Sequence, residues 1–254
     1  MDRVDNSLQG KVCLVTGAAR GIGAAVARAA AARGARVAVN YYSSHNEAMT
    51  LIAELEEYGY HALALQADIS NEQEVSRLFA EIRSNMGEVD LLVNNAGLNL
   101  RSLVQDTSAA EWDRLMSVNL RGAFLCCKEV LPYMIRKQYG RIVNIASSQG
   151  IDGASFEAVY AASKGGLIAF TKSLGSEVAP SGITVNAIAP GPVATNMIYS
   201  QLDEEDMRTL LDELPAGRLA APEEIASACV FLLSRDAAYI NAQVLCIDGG
   251  WKAR

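Results

Sequence analysis

The sequence predicts an α/β protein built on a doubly wound, seven-stranded parallel sheet with helices on both faces. Two observations carry that expectation. β-rich runs alternate with stretches of helical periodicity along the chain, and several of the runs are apolar on consecutive residues instead of every second one. A strand covered by helices on both faces must be apolar on both, whereas a half-solvated strand alternates. Strands alternating with helices give parallel pairing through crossovers, with ligands expected at the carboxyl ends of the strands.

The candidate strands, in order, are "VCLVT" (12–16), "RVAVNY" (36–41), "HALALQAD" (61–68), "DLLVNNA" (90–96), "RIVNIAS" (141–147), "TVNAIAP" (184–190) and "VLCID" (244–248). Between them, "AAVARAAAARG" (24–34), "EAMTLIAELEEYG" (47–59) and "EQEVSRLFAEIRSNMG" (72–87) repeat apolar residues at helical spacing and close on glycine, which accepts the left-handed geometry of a helix end. The one long stretch without a strand runs from 191 to 243; its first part, about 191–217, reads as a helical flap over the site, followed by a packing helix at 223–234. No shift of composition marks a second domain, so residues 1–254 form one unit.

Half of the 254 residues are apolar and a fifth charged, ample for a large core. A formal net charge of -7 argues against sequence-blind nucleic-acid binding, because phosphates would be repelled. The five cysteines, at 13, 126, 127, 229 and 246, have no metal-ligand spacing and read as reduced core residues; no metal site is expected. The polar N-terminus "MDRVDNSLQGK" and the lack of a long apolar run predict a cytoplasmic protein with no membrane segment.

The first strand runs into "TGAARGIG", in which Thr16 precedes Gly17, Gly21 and Gly23. A pyrophosphate can approach backbone N–H groups closely only where side chains are absent, and a helix starting near Ile22 would aim its positive end at it. The loop's position in the first βαβ unit makes it a dinucleotide site of Rossmann type. At the end of the second strand, where an acid would grip a free ribose 2′-OH, stands Asn40; Tyr41, Ser43 and Ser44 offer hydroxyls, and Arg20 a guanidinium. This set favours NADP(H) over NAD(H), the alternative being that Arg20 is a solvated charge and "YYSS" a plain loop.

Tyr160 and Lys164 in "VYAASKGG" share one helical face. Together with "TGAARGIG", "NNAG" (94–97), "VN" (118–119), Ser147, "VNAIAPGPVAT" (185–195) and "DGGW" near the end, the pair resembles the short-chain dehydrogenase/reductases, from about residue 8 to 251. The resemblance implies an oxidoreductase acting on a CH–OH or carbonyl group, with Asn119, Ser147, Tyr160 and Lys164 as catalytic tetrad. In that reading Tyr160 exchanges a proton with the substrate oxygen, and Lys164 lowers its pKa and binds the nicotinamide ribose. Ser147 steadies the developing oxyanion, with Ser148 as its rival, and Asn119 anchors a water that relays protons. The resemblance also carries cofactor contacts to Asp68, Ile69, Asn95, Ala96, Gly97, Ile188, Pro190, Gly191, Val193 and Thr195, with Asn94 bracing the sheet.

Within the family, the sequence is similar to the 3-oxoacyl-[acyl-carrier-protein] reductase branch, which shades into carbonyl, diketone, quinone and sugar dehydrogenases. The basic residues thought to hold the acidic carrier would fall near Gln138 and Ser181, neither basic, although Arg136, Lys137 and Lys172 lie close by. An acyl carrier protein is therefore a weakly supported partner. A homotetramer, or a dimer, is implied through helices at 111–138 and 157–179. Ser147, Gln149, Tyr160 and Met197 are the expected substrate contacts, in a pocket of mixed polarity with Asn99, Phe156, Val193 and Tyr199. Two other classes compete. A serine hydrolase fails because His45 and His61 precede every plausible nucleophile, and no G-x-S-x-G occurs. A cofactor-binding regulator would be marked by a broken tetrad, and here it is whole.

Overall fold

The computed structural model describes residues 6–251. Seven strands form one sheet: β1 (Val12–Val15), β2 (Arg36–Tyr41), β3 (Ala62–Gln66), β4 (Leu91–Asn94), β5 (Gly140–Ile145), β6 (Ile183–Pro190) and β7 (Val244–Ile247). The spatial order is β3-β2-β1-β4-β5-β6-β7, and every pairing is parallel. Between β1 and β4 the winding reverses, and the crevice above that point is where such sheets bind ligands.

The helices are α1 (Gly21–Ala31), α2 (His45–Glu57), α3 (Glu72–Met86), α4 (Ala109–Met116), α5 (Gly122–Lys137), α6 (Gln149–Asp152), α7 (Ala158–Val178), α8 (Asn196–Tyr199), α9 (Glu204–Glu213) and α10 (Pro222–Leu233). Local chemistry sets several starts. Asn71 accepts from the backbone of Gln73 and Glu74 ahead of α3, and Asp203 does the same for Glu205 and Asp206 ahead of α9. Ser108 and Glu111 cap α4 reciprocally. At the other end of α3, Gly87 leaves the helix at φ 87°, a conformation costly for a residue with a Cβ.

Two cores sandwich the sheet. On one face α1, α2 and α10 cover Val15, Val37, Val39, Val143 and Ile188; on the other α3, α5 and α7 cover Leu14, Leu92, Ile142 and Val185. The consecutive apolar residues of β1 thus divide between two cores, which is why the strand does not alternate.

The expected elements are all present, with shifted ends. The first helix begins at Gly21, next to the start expected near Ile22, because the glycine loop enters the helix directly. The helix expected at 111–138 divides into α4 and α5 around a π-helical turn, Ser117–Arg121. The flap holds α8 and α9 and returns to the body where Val193 bridges Ala220. Cys13, Cys126, Cys127 and Cys229 are buried and unpaired, but Cys246 on β7 is exposed and not in the core. His45 is exposed at the start of α2. Among the described residues no helix is long and apolar enough to cross a membrane, and no His, Cys, Asp and Glu side chains gather as a metal site.

Candidate active site

A cleft of about 970 Å³ opens over the carboxyl ends of β1, β2, β4, β5 and β6. Of the residues expected to bind cofactor or to line the substrate pocket, all but Gly23, Ile188 and Tyr199 line it; of the expected catalytic set, all but Asn119. Gly23 instead makes room. A Cβ there would stand 2.5 Å from Asn95 Nδ2 and 2.6 Å from the Gly17 carbonyl, while one at Gly17, where φ is 60°, would stand 2.8 Å from Ala96 Cα. The loop is bare because the polypeptide folds back upon it.

Buried polar groups hold that loop rigidly. Thr16 Oγ1 accepts from the N–H groups of Asn95 and Ala96. Asn95 Nδ2 donates to the carbonyls of Thr16 and Gly17, so its amide pins the glycine loop and is not turned to a ribose. Asn40 also departs from expectation. It is 2% exposed, its Oδ1 accepts from Gly17 N–H, and its Nδ2 donates to the carbonyls of Leu65 and Ala67. Asn40 therefore ties β3 and the loop together. Tyr41 is buried and its hydroxyl is shared with His45 Nδ1 at 2.8 Å, so that hydroxyl is already engaged. Arg20, Ser43 and Ser44 line the cleft, and the Arg20 side chain makes no hydrogen bond or ion pair with the described residues.

Asp68 and Ile69 bound the cleft beyond β3. Burial would raise the Asp68 pKa, but hydrogen bonds from Ser70 and the guanidinium of Arg114 outweigh it and hold the carboxylate low. Arg114 also lies over the Tyr42 ring, 5.5 Å from its centre. Asn94, as expected, braces the sheet: its amide donates to Asn144, which donates to Thr171 of α7.

At the other end of the cleft, β5 delivers Ser147 and α7 delivers Tyr160 and Lys164. Burial pushes Tyr160 up to about 12 against the opposing effect of a hydrogen bond with Ser147, and Glu157 adds to the rise. Burial also brings Lys164 down to about 8. Lys164 Nζ donates to the Ile145 carbonyl at 2.7 Å. The tyrosine thus departs from the expectation of a lowered pKa: in the protein by itself, desolvation dominates. Ser148 also lines the cleft, but its Oγ is buried without a partner among the described residues, whereas Ser147 meets the tyrosine. Asn119 stands behind the cleft in the π-helical turn, with its Oδ1 accepting from Leu98 N–H and its Nδ2 donating to the Leu98 carbonyl and Ser163 Oγ. A Cβ on Gly97 would touch both Asn119 Oδ1 and Lys164 Nζ at 3.4 Å.

A glycine cradle, a tyrosine and lysine on one helix beside a strand-end serine, and one cleft joining them are the architecture of an alcohol–carbonyl oxidoreductase with a dinucleotide cofactor. Comparison with known proteins decides the family. A family model described as enoyl-(acyl carrier protein) reductase matches residues 17–252. The 3-oxoacyl-[acyl-carrier-protein] reductase of Escherichia coli is 41% identical over 244 residues, 96% of this chain and 98% of the relative. The enzyme of the same name from Vibrio cholerae is 43% identical with the same coverage. The chain is a short-chain dehydrogenase/reductase.

Members of this family use a nicotinamide cofactor, and this short-chain dehydrogenase/reductase is an oxidoreductase of CH–OH or carbonyl groups. A solved structure named as a candidate gluconate dehydrogenase from Agrobacterium tumefaciens superposes with a TM-score of 0.93 at 34% identity, covering 98% of both chains. The residues fit the cofactor. The loop lacks side chains where a pyrophosphate must approach backbone, and the cleft is continuous from Arg20 to Tyr160.

The cleft also contains residues that the sequence did not single out. Arg101, Arg114, Glu157, Gln201 and Asp206 line it, whereas Tyr199 does not. Their contacts join segments far apart in the chain, which local spacing cannot reveal. Only Glu157 carried a local signal, three positions before Tyr160 at the start of α7.

Proposed function

We propose that this protein is an NADP(H)-dependent ketoreductase that interconverts a ketone and a secondary alcohol, with Tyr160 as proton donor, Lys164 and Ser147 beside it, and Asn119 positioning the lysine. The observation that carries the reading is the shared cleft in which the glycine loop and the Tyr160–Lys164–Ser147 set face one another. When bound, the reduced nicotinamide supplies the hydride to the carbonyl carbon. As that carbon gains its new bond, the π electrons move onto oxygen, and Tyr160 donates its phenolic proton there. Ser147 donates a hydrogen bond to the same oxygen and stabilises the charge that grows on it. The Lys164 ammonium then favours the phenolate left behind. Asn119, fixed on the Leu98 backbone, holds the floor against which the lysine lies. In the reverse direction Tyr160 accepts the proton.

Preference for NADP(H) is supported by the free Arg20 guanidinium and the Ser43 and Ser44 hydroxyls at the end of β2, where no acid stands. The curated relatives suggest a 3-oxoacyl thioester as substrate. Against a carrier protein docking beside the cleft of the same chain, Arg136, Lys137 and Gln138 lie at the end of α5, which the parallel topology puts at the opposite edge of the sheet. Lys137 is moreover paired with Asp90. A sugar-acid or sugar alcohol is the second reading, favoured by the polar wall around Glu157. Exposed Trp112, Phe124 and Ile135 on α4 and α5, with Phe124 edge-on to Phe170 of α7, support assembly into a homotetramer through these helices.

The test is NADPH oxidation against a panel of a 3-oxoacyl thioester, a diketone, a quinone, a keto sugar acid and a steroid ketone. Turnover of at least one with NADPH favoured over NADH supports the reading. Silence toward all five would leave a cofactor-binding regulator.

A further inference from the structure

Three segments meet at the mouth of the cleft beside Tyr160. Asn99, in the loop after β4, donates to Glu157 Oε1 at 3.4 Å and to Gln201 Oε1 of the flap at 3.0 Å. Arg101, in the same loop, pairs with Asp206 of α9 at 3.0 Å. Between them Phe156 is held at φ 63°, a left-handed conformation that a bulky residue adopts only under constraint, and its carbonyl accepts from Ser102 N–H at 2.7 Å. That backbone twist sets the direction in which the next residue, Glu157, enters the cleft.

Glu157 Oε2 is shielded from solvent, and no donor among the described residues meets it at full hydrogen-bond geometry, the Gln149 amide making only a loose contact with the carboxylate. A buried carboxylate oxygen without a donor is costly, and folded proteins rarely leave one unmatched unless a ligand supplies it. Gln149 lies near enough to favour the carboxylate, as do Asn99 and Arg101, yet burial still raises the Glu157 pKa overall. The positive charge on that side already comes from Arg101. The missing group is therefore a neutral donor, a hydroxyl in preference to an ammonium.

We propose that Glu157 is a substrate-recognition residue whose Oε2 accepts a hydrogen bond from a hydroxyl near the reacting carbon, so that the enzyme acts on small hydroxylated carbonyl compounds and their polyols. This rests on the ketoreductase reading and narrows it. A simple 3-oxoacyl thioester has no hydroxyl close to its reacting carbon, whereas a keto sugar acid does. A site that spends a buried acceptor on one hydroxyl rejects the analogue lacking it, because the acceptor is again left unpaired.

The experiment measures NADPH oxidation with hydroxyacetone, with butanone and with a 3-oxobutanoyl thioester, for the wild type, Glu157→Gln and Glu157→Ala. Fluorescence titration with NADPH reports in parallel whether each variant is folded and binds cofactor. The wild type is expected to prefer hydroxyacetone over butanone in kcat/KM by roughly tenfold or more. Glu157→Ala should bring that ratio close to one, and Glu157→Gln, whose amide oxygen still accepts, should keep part of it. If the alanine variant loses NADPH binding, the glutamine variant carries the test. A wild-type ratio near one, a ratio unchanged in Glu157→Ala, or a thioester preferred over hydroxyacetone would overturn the assignment while leaving the ketoreductase intact. No turnover of any of the three would overturn this assignment, and the ketoreductase reading falls with it only if the diketone, the quinone, the keto sugar acid and the steroid ketone are left unreduced as well.

Discussion

Lys164 Nζ lies 5.7 Å from the centre of the Tyr160 ring and donates to the Ile145 carbonyl at 2.7 Å. One helical turn separates the two residues, and a strand end fixes where the ammonium stands. The pair is thereby set by backbone, not by surface chance.

The lysine gives the account its pH dependence. Burial lowers its pKa from 10.5 to about 8, so between those values the unfolded chain binds more protons at this residue than the folded one. The contribution of Lys164 to stability is least favourable below about pH 8 and improves as pH rises toward 10.5. Reduction runs the other way: kcat/KM should decline above about pH 8 as the ammonium loses its proton, while Tyr160, raised to about 12, still holds its own. A profile of NADPH-dependent reduction from neutral to alkaline pH checks this, and a flat line through the window contradicts it.

At the end of β2, the general pattern of ribose recognition points to an aspartate in place of Asn40 as the route to NADH. The structure predicts otherwise. Asn40 Nδ2 donates to the carbonyls of Tyr41, Leu65 and Ala67, and a carboxylate there would face them without a proton to offer. Asn40→Asp should destabilise the fold by about 2–4 kcal/mol, the cost of unpaired buried acceptors and a buried charge, before any change of cofactor preference is seen. Denaturant unfolding of the purified variant measures it, and an unchanged midpoint would refute the role given to Asn40.

Arg20 carries the opposite expectation. It is exposed and its side chain makes no bond with the described residues, so Arg20→Ala should leave thermal stability nearly unchanged. Loss of a charge-assisted hydrogen bond to a 2′-phosphate should raise the KM for NADPH about 10- to 100-fold, with little effect on NADH. Equal losses with the two cofactors would show that Arg20 serves the pyrophosphate and not the ribose.

How far the sequence could be read followed the distance over which its residues interact. Gly17, Gly21, Tyr160 and Lys164 announce themselves because their geometry is local, a tight turn or one turn of helix. The consecutive apolar residues of β1 and β6 betrayed a sheet covered on both faces. Asn40 and Asn95 were correctly put at the cleft and wrongly aimed, because a position on a strand does not say which backbone groups the amide will find. Of the mouth only Asn99 and Phe156 were placed in the pocket, and their partners were hidden: Asn99 meets Glu157 across 58 positions and Gln201 across 102, and Arg101 reaches Asp206 across 105. No spacing rule spans such separations.

The central claim is that Tyr160 gives the substrate oxygen its proton in a cleft whose cofactor end is assembled independently of it. The most direct measurement pairs NADPH titration with single-turnover reduction in Tyr160→Phe. The account predicts NADPH affinity within about twofold of the wild type and a reduction rate lower by about 10²- to 10⁴-fold, the usual worth of a positioned general acid. Reduction within tenfold of the wild type, with NADPH bound as tightly, would contradict it.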